Sequence, residues 1–181
     1  MQKLKAWLKT SWLHLILLGA AVWLCYGNVI DAPFIWDDEE MVVGNAMIRQ
    51  IENLPTIFTT TAFGGTFSKS SFYRPIQIAS YMIDYHFWGL NSFGFHLTSI
   101  FIHIVNTLLV YYLFLALGLS GIVSWICAIL FGIHPLHIES VTYISGRGDA
   151  LFLTFVLLSF HSMLLALKSE KKYFRLDRKS T

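Results

Sequence analysis

The chain has 181 residues, of which 55% are hydrophobic and 13% charged, and its net charge is +2. A soluble domain carries roughly 45–50% apolar and about 25% charged residues, so the composition excludes an ordinary water-soluble fold. The low charge, with basic residues gathered at the termini, argues against a nucleic-acid surface. Cys25 and Cys127 lie in apolar runs, where a thiol packs as a small hydrophobe and gives no disulfide framework.

The apolar blocks approach the length needed to cross a bilayer, about 20 residues. They predict an all-α polytopic membrane protein with about four transmembrane helices and a large external loop carrying short helices. The first block, about residues 12–30, follows Lys3, Lys5 and Lys9. It ends in Tyr26-Gly27-Asn28 without the small-residue pattern of a cleavage site, so residues 1–30 read as an uncleaved signal anchor.

Residues 31–93 form the external loop, with Asp31, Asp37, Asp38, Glu39, Glu40, Glu52 and Asp84 set against Arg49, Lys69 and Arg74. Gly64-Gly65 and Ser68 to Ser71 mark its expected flexible part. The stretch 75–90 is apolar but short for a span, contains Asp84 and His86, and is rich in aromatics that prefer the membrane interface. It reads as an interfacial helix. A loop this long is more often functional than a mere connector.

Three further spans are expected within residues 94–167, at about 95–117, 121–133 with its flanks, and 150–167. Gly118-Leu119-Ser120 makes a tight hairpin between the first two of these. Residues 168–181 are a basic tail of the kind retained in the cytoplasm. Four spans bring both termini to that side, and with them nine of the 13 Lys and Arg residues: Lys3, Lys5, Lys9, Lys168, Lys171, Lys172, Arg175, Arg178 and Lys179.

Four groups of residues are candidates for chemistry. Trp36-Asp37-Asp38-Glu39-Glu40 places carboxylates just beyond the first span, where one can serve as a general base toward a hydroxyl; the plainer reading is a helix start with acids in its first turn. His134, His137 and Glu139 lie within six residues, but Pro135 argues against a regular helix presenting both imidazoles on one face. A role in orienting a substrate or loop is favoured over metal binding. Arg147, between Gly146 and Gly148 at the start of the last span, suits a phosphate, and its plainer alternatives are a pair with Asp149 or a headgroup anchor. Arg74, in Tyr73-Arg74-Pro75, can meet an anion or simply open the following helix.

His96, Ser99, His103 and Asn106 recur at spacings of three, four and three, which puts them on one helical face. Inside lipid such a face joins helices or borders a substrate. Gly121, Ser124, Ala128 and Gly132 form a small-residue stripe, most simply a close helix contact.

Taken in order, these pieces resemble the transmembrane and tetratricopeptide-repeat-containing O-mannosyltransferase family and its bacterial relatives. The resemblance is carried by Phe34-Ile35-Trp36-Asp37-Asp38, Asn45, Tyr73-Arg74-Pro75, the stripe from His96 to His103, His134-Pro135-Leu136-His137-Ile138-Glu139-Ser140-Val141, and Gly146-Arg147. It implies a partial GT-C fold in the bilayer of a bacterial inner or plasma membrane or of the endoplasmic reticulum. It also implies transfer of a sugar from a polyprenyl-phosphate donor, such as dolichyl phosphate mannose, to a protein or glycan acceptor outside the cytoplasm.

Motif position makes Asp37 the acceptor-activating acid, with Asp38 beside it, and sets Arg147 near the lipid phosphate. Gly148-Asp149 stands where relatives often carry Ala-Glu. No cofactor is implied beyond the lipid-linked sugar substrate, and a divalent metal is not favoured. Such relatives have more spans and a carboxy-terminal repeat region, so the chain is expected to correspond to their amino-terminal part, as a fragment or a truncated product. The rival classes are a nonenzymatic scaffold or inactive remnant, and a metal-dependent enzyme built on His134, His137 and Glu139.

Overall fold

The computed structural model describes residues 2–62, 64 and 72–180, with side chains described between 12 and 167. The stretch at Gly65 and Ser68 to Ser71, expected to be flexible, lies outside the described residues, as do the side chains of the basic tail. Every regular element among the described residues is helical. Helix α1 runs Gln2–Tyr26, α2 Leu54–Ile57, α3 Pro75–Trp88, α4 Ser92–Ala116, α5 Gly121–Gly132, α6 Ile138–Thr142 and α7 Arg147–Ser180. Short 3-10 and π-helical turns fill the connections.

Three stretches are long and apolar enough to cross a bilayer: Trp12–Val29, Ser92–Ala116 and Ile144–Leu167. A fourth is the pair Gly121–Gly132 and Pro135–Thr142, bent by 48°. The bend falls where Pro135 follows an extended His134 (ψ 130°), because proline disfavours helical backbone in the residue before it. The chain is thus an all-α polytopic membrane protein. Helix α3, with Pro75 in its first turn, has 14 residues and spans about 21 Å, too short for a hydrocarbon core of about 30 Å.

Helix α4 is the centre of the bundle and packs against α1, α5 and α7. Helices in lipid gain little from apolar burial against each other, so close packing and buried hydrogen bonds hold them together. Both are present. Ser124, Ala128 and Gly132 of the small-residue stripe are buried against neighbouring helices, and a Cβ at Gly132 would stand 2.8 Å from Thr107 Cγ2. Gly121, at the other end of the stripe, meets no neighbour within 4 Å.

All four residues of the α4 polar face are buried. Asn106 Nδ2 donates to the Ala150 carbonyl at 2.8 Å, and Thr154 Oγ1 donates to Asn106 Oδ1 at 2.7 Å. His103 Nε2 bonds the Gly132 carbonyl at 2.9 Å and so carries the proton there. His96 Nε2 likewise meets the Ala32 carbonyl at 3.1 Å. The face joins α4 to α5, to α7 and to the chain leaving α1.

The loop has a core of its own, formed by Met41, Val42, Ile48, Ile57, Tyr81, Met82, Phe95 and Ile144. Asn45 steadies it by accepting from Met47 N at 3.0 Å and donating to the Met41 carbonyl at 3.2 Å. Arg49 donates to the Val43 carbonyl at 2.6 Å and lies 5.4 Å from the Tyr85 ring centroid. The loop is therefore seated on α3 and the top of the bundle.

Candidate functional site

The adjacent acids Asp37 and Asp38 are placed very differently. Trp36 adopts φ 49°, a left-handed conformation that costs a non-glycine residue about 1–3 kcal/mol and is concentrated at functional sites. The chain reverses there. Trp36 is left 80% exposed, with its ring edge-on to Tyr143 at 6.0 Å. Asp37 is exposed beside it, and its backbone N–H donates to Tyr143 Oη at 3.0 Å. Burial, the largest influence on the Tyr143 phenol, raises it above its usual range and keeps it protonated.

Asp38 is 1% exposed. Its Oδ1 accepts from Ser145 N at 2.7 Å and from Ser145 Oγ at 2.5 Å, and its Oδ2 accepts from Ile35 N at 3.3 Å. A carboxylate so engaged is not available to take a proton from an incoming hydroxyl. Asp37 is the acid that faces outward, and Glu39 and Glu40 are exposed on the next turn.

Arg147, which its motif suits to a phosphate, is 0% exposed. Its Nη1 lies 2.6 Å from Asp84 Oδ2 and donates to Ser80 Oγ at 3.0 Å. Nε donates to Ser99 Oγ at 3.1 Å and Nη2 to the Phe95 carbonyl at 2.7 Å. The guanidinium also stacks 4.8 Å from the Tyr81 ring centroid. Its charge partner is Asp84 of α3, not the neighbouring Asp149. Burial pushes the Asp84 carboxyl above its ordinary range, while the Arg147 charge and the Thr98 hydroxyl pull it back. Arg147 thus ties α3, α4 and α7 together at the start of α7, and its donors are directed inward.

Arg74, unlike Arg147, is exposed. It sits over the Phe72 ring at 5.2 Å and lines a pocket of about 400 Å³. One wall of this pocket is Tyr73–Gln77 from the end of the loop, and the other is Gly148, Asp149, Leu151, Phe152 and Phe155 from the start of α7. Its lining joins Arg74, Asp149, Tyr73 and Gln77 to the apolar side chains of Ile76, Leu151, Phe152 and Phe155, so a cation and a carboxylate share a largely apolar cavity.

The histidines fall elsewhere. His134 is exposed and spends Nδ1 on Leu136 N at 3.2 Å, and Tyr26 Oη donates to its carbonyl at 2.9 Å. His137 turns inward, 5.1 Å from the His103 ring and 4.5 Å from Phe131. Glu139 is exposed in the first turn of α6. Among the described residues, no group of three His, Cys, Asp or Glu side chains could hold a metal ion. The structure therefore brings Asp37 to Tyr143 and Arg74 to the pocket, and gives Asp38, Arg147 and His103 to internal contacts. Gln77 and Ser145 link these regions; Ser145 adjoins the Gly146-Arg147 motif, whereas Gln77 carries no motif by which a sequence reading finds it.

Comparison with known proteins decides the kinship. Protein O-mannosyl-transferase TMTC1 of Homo sapiens is 33% identical over 155 residues, covering 81% of this chain and 17% of the relative. Protein O-mannosyl-transferase F38B6.6 of Caenorhabditis elegans is 30% identical over 151 residues, 79% of this chain and 21% of the relative. The chain is O-mannosyltransferase-like. Protein O-mannosyl-transferase TMTC4 of Homo sapiens extends the likeness to 178 residues at 28% identity, 89% of this chain and 24% of the relative. The O-mannosyltransferase-like chain spans about a sixth to a quarter of the length of the curated relatives it matches. No family model matches it, and no solved structure does.

Proposed function

We propose that the chain is the part of a membrane glycosyltransferase that receives a polyprenyl-phosphate-linked sugar and presents the base for its transfer to an acceptor outside the cytoplasm. The observation that carries this reading is the division of labour between paired residues. Asp37 is exposed where Asp38 is locked, and Arg74 is exposed at a pocket lined by the first turns of α7 where Arg147 is locked.

In this scheme the pyrophosphate-free donor enters from the bilayer, with its isoprenoid chain along Leu151, Phe152 and Phe155 and its phosphate at Arg74. The guanidinium offers two parallel hydrogen bonds to phosphate oxygens and stabilises the charge left when the glycosidic bond breaks. Asp37 accepts the proton of the acceptor hydroxyl as its oxygen attacks the sugar carbon. Names of relatives that transfer mannose favour that sugar. A protein acceptor fits those names as well.

The donor site is tested by titrating polyprenyl-phosphate mannose into the chain held in lipid nanodiscs. Loss of charge-assisted hydrogen bonds worth about 1.5–3 kcal/mol predicts a donor affinity ten- to a hundredfold weaker in Arg74→Ala, with partial retention in Arg74→Lys. Unchanged binding by Arg74→Ala rejects the pocket. A second reading, a nonenzymatic membrane scaffold, draws support from the inward commitment of Arg147 and Asp38. Donor binding that is absent from the parent chain favours it.

A further inference from the structure

A single turn of backbone, residues 143–146, separates Asp37 from the pocket of Arg74, and two distant segments end on it. From the loop, Asp37 N–H reaches Tyr143 Oη and Asp38 Oδ1 accepts both donors of Ser145. From α3, Gln77 Nε2 donates to the Ser145 carbonyl at 2.8 Å and to Tyr81 Oη at 2.7 Å, and Tyr81 Oη donates to the Ile144 carbonyl at 2.7 Å. Gln77 is itself a wall of the pocket.

The polarity of this chain of bonds is fixed. A carbonyl only accepts, so the nitrogen of the Gln77 amide must face Ser145. Its Oε1 is thereby turned toward Gly148, where a Cβ would collide with it. Gln77 and Asp38 are both buried, at 2% and 1% exposure, so water does not compete for these bonds. Ser145 is held from one side by the acid's neighbour and from the other by the pocket's wall.

We infer that Asp38 is a positioning residue and that the relay Asp38–Ser145–Gln77 sets the distance between the acid Asp37 and the donor pocket. The inference rests on the transfer reading above and deepens it. Transfer demands that the acceptor oxygen, activated at Asp37, meet a sugar held from the pocket, and misplacement by about 1 Å can cost on the order of a hundredfold in rate. A rigid link from pocket wall to acid supplies that tolerance. An unlinked loop does not.

Two measurements test it on the chain in nanodiscs. The first follows donor affinity and turnover in Asp38→Asn, Ser145→Ala and their double variant. Donor affinity should stay within about twofold of the parent, while turnover falls roughly ten- to a hundredfold in each single variant and no further in the double. Asp38→Asn should also keep the parent's pH profile. Loss of turnover in Asp38→Asn as complete as in Asp37→Asn, with Ser145→Ala near normal, overturns the assignment and makes Asp38 catalytic.

The second measurement is a spin-label distance between Glu40→Cys and Ile76→Cys, with Cys25 and Cys127 replaced by serine. A narrow distribution in this background should broaden in both Asp38→Asn and Ser145→Ala and remain narrow in Asp37→Asn. A distribution that Asp38→Asn leaves unchanged overturns the relay whatever the turnover. Broadening in a chain that binds donor yet transfers no sugar upholds the relay and sinks the transfer reading instead.

Discussion

Arg147 shows how burial decides what a residue can do. A charge taken out of water is tolerated when it is paired and hydrogen-bonded, and Asp84, Ser80, Ser99 and the Phe95 carbonyl meet that requirement. Removing one partner strands the other. Arg147→Ala should therefore destabilise the folded chain by about 3–5 kcal/mol, and the double replacement Arg147→Met with Asp84→Leu should recover part of the loss. Thermal unfolding in detergent measures both. A near-parental stability for Arg147→Ala contradicts the buried pair.

The sequence marked Arg147 as important because it sits between glycines, but its partner is 63 positions away on α3. The same limit applies to the acids. Trp36-Asp37-Asp38 advertised a pair of carboxylates, yet successive residues on a helical turn point about 100° apart, and only the fold decides which one meets Ser145. The left-handed Trp36 left no signal at all, since tryptophan has no preference for that conformation.

At the scale of elements, periodicity was the reliable guide. The three-four-three spacing from His96 to Asn106 gave the inner face of α4, because a helix in lipid must turn its polar groups toward partners. The stripe from Ser124 to Gly132 gave the contact face of α5 for a complementary reason: only small residues let two backbones approach. The aromatic, acid-bearing stretch before α4 is a helix too short to span, as its length and composition require. The break after α5 follows from Pro135, which the sequence already sets against a regular helix; what periodicity does not show is that a second short helix continues beyond it at 48°. Gly132→Val should separate α4 from α5 at Thr107 and lower stability by about 1–3 kcal/mol, read as an earlier detergent melt. Parental melting places that contact elsewhere.

For the whole molecule, charge distribution and span count make a joint prediction: both termini lie in the cytoplasm and the Asp37 loop lies outside. Gln50→Cys should react with an impermeant thiol reagent in intact cells, and Ser180→Cys only after permeabilisation, with the native cysteines replaced. The reverse pattern inverts the topology and moves the acid to the wrong side of the membrane for an external acceptor.

The central claim concerns one carboxylate at that outer surface, and the most direct test is sugar transfer by the Asp37→Asn variant. Membranes bearing the parent chain or the variant are supplied with polyprenyl-phosphate mannose labelled in the sugar, and label in protein acceptors is counted after equal insertion is verified. General-base catalysis contributes about 10²–10⁴ in rate, so Asp37→Asn should lose at least a hundredfold in turnover while binding donor normally. Turnover equal to the parent's would show that Asp37 is not the base.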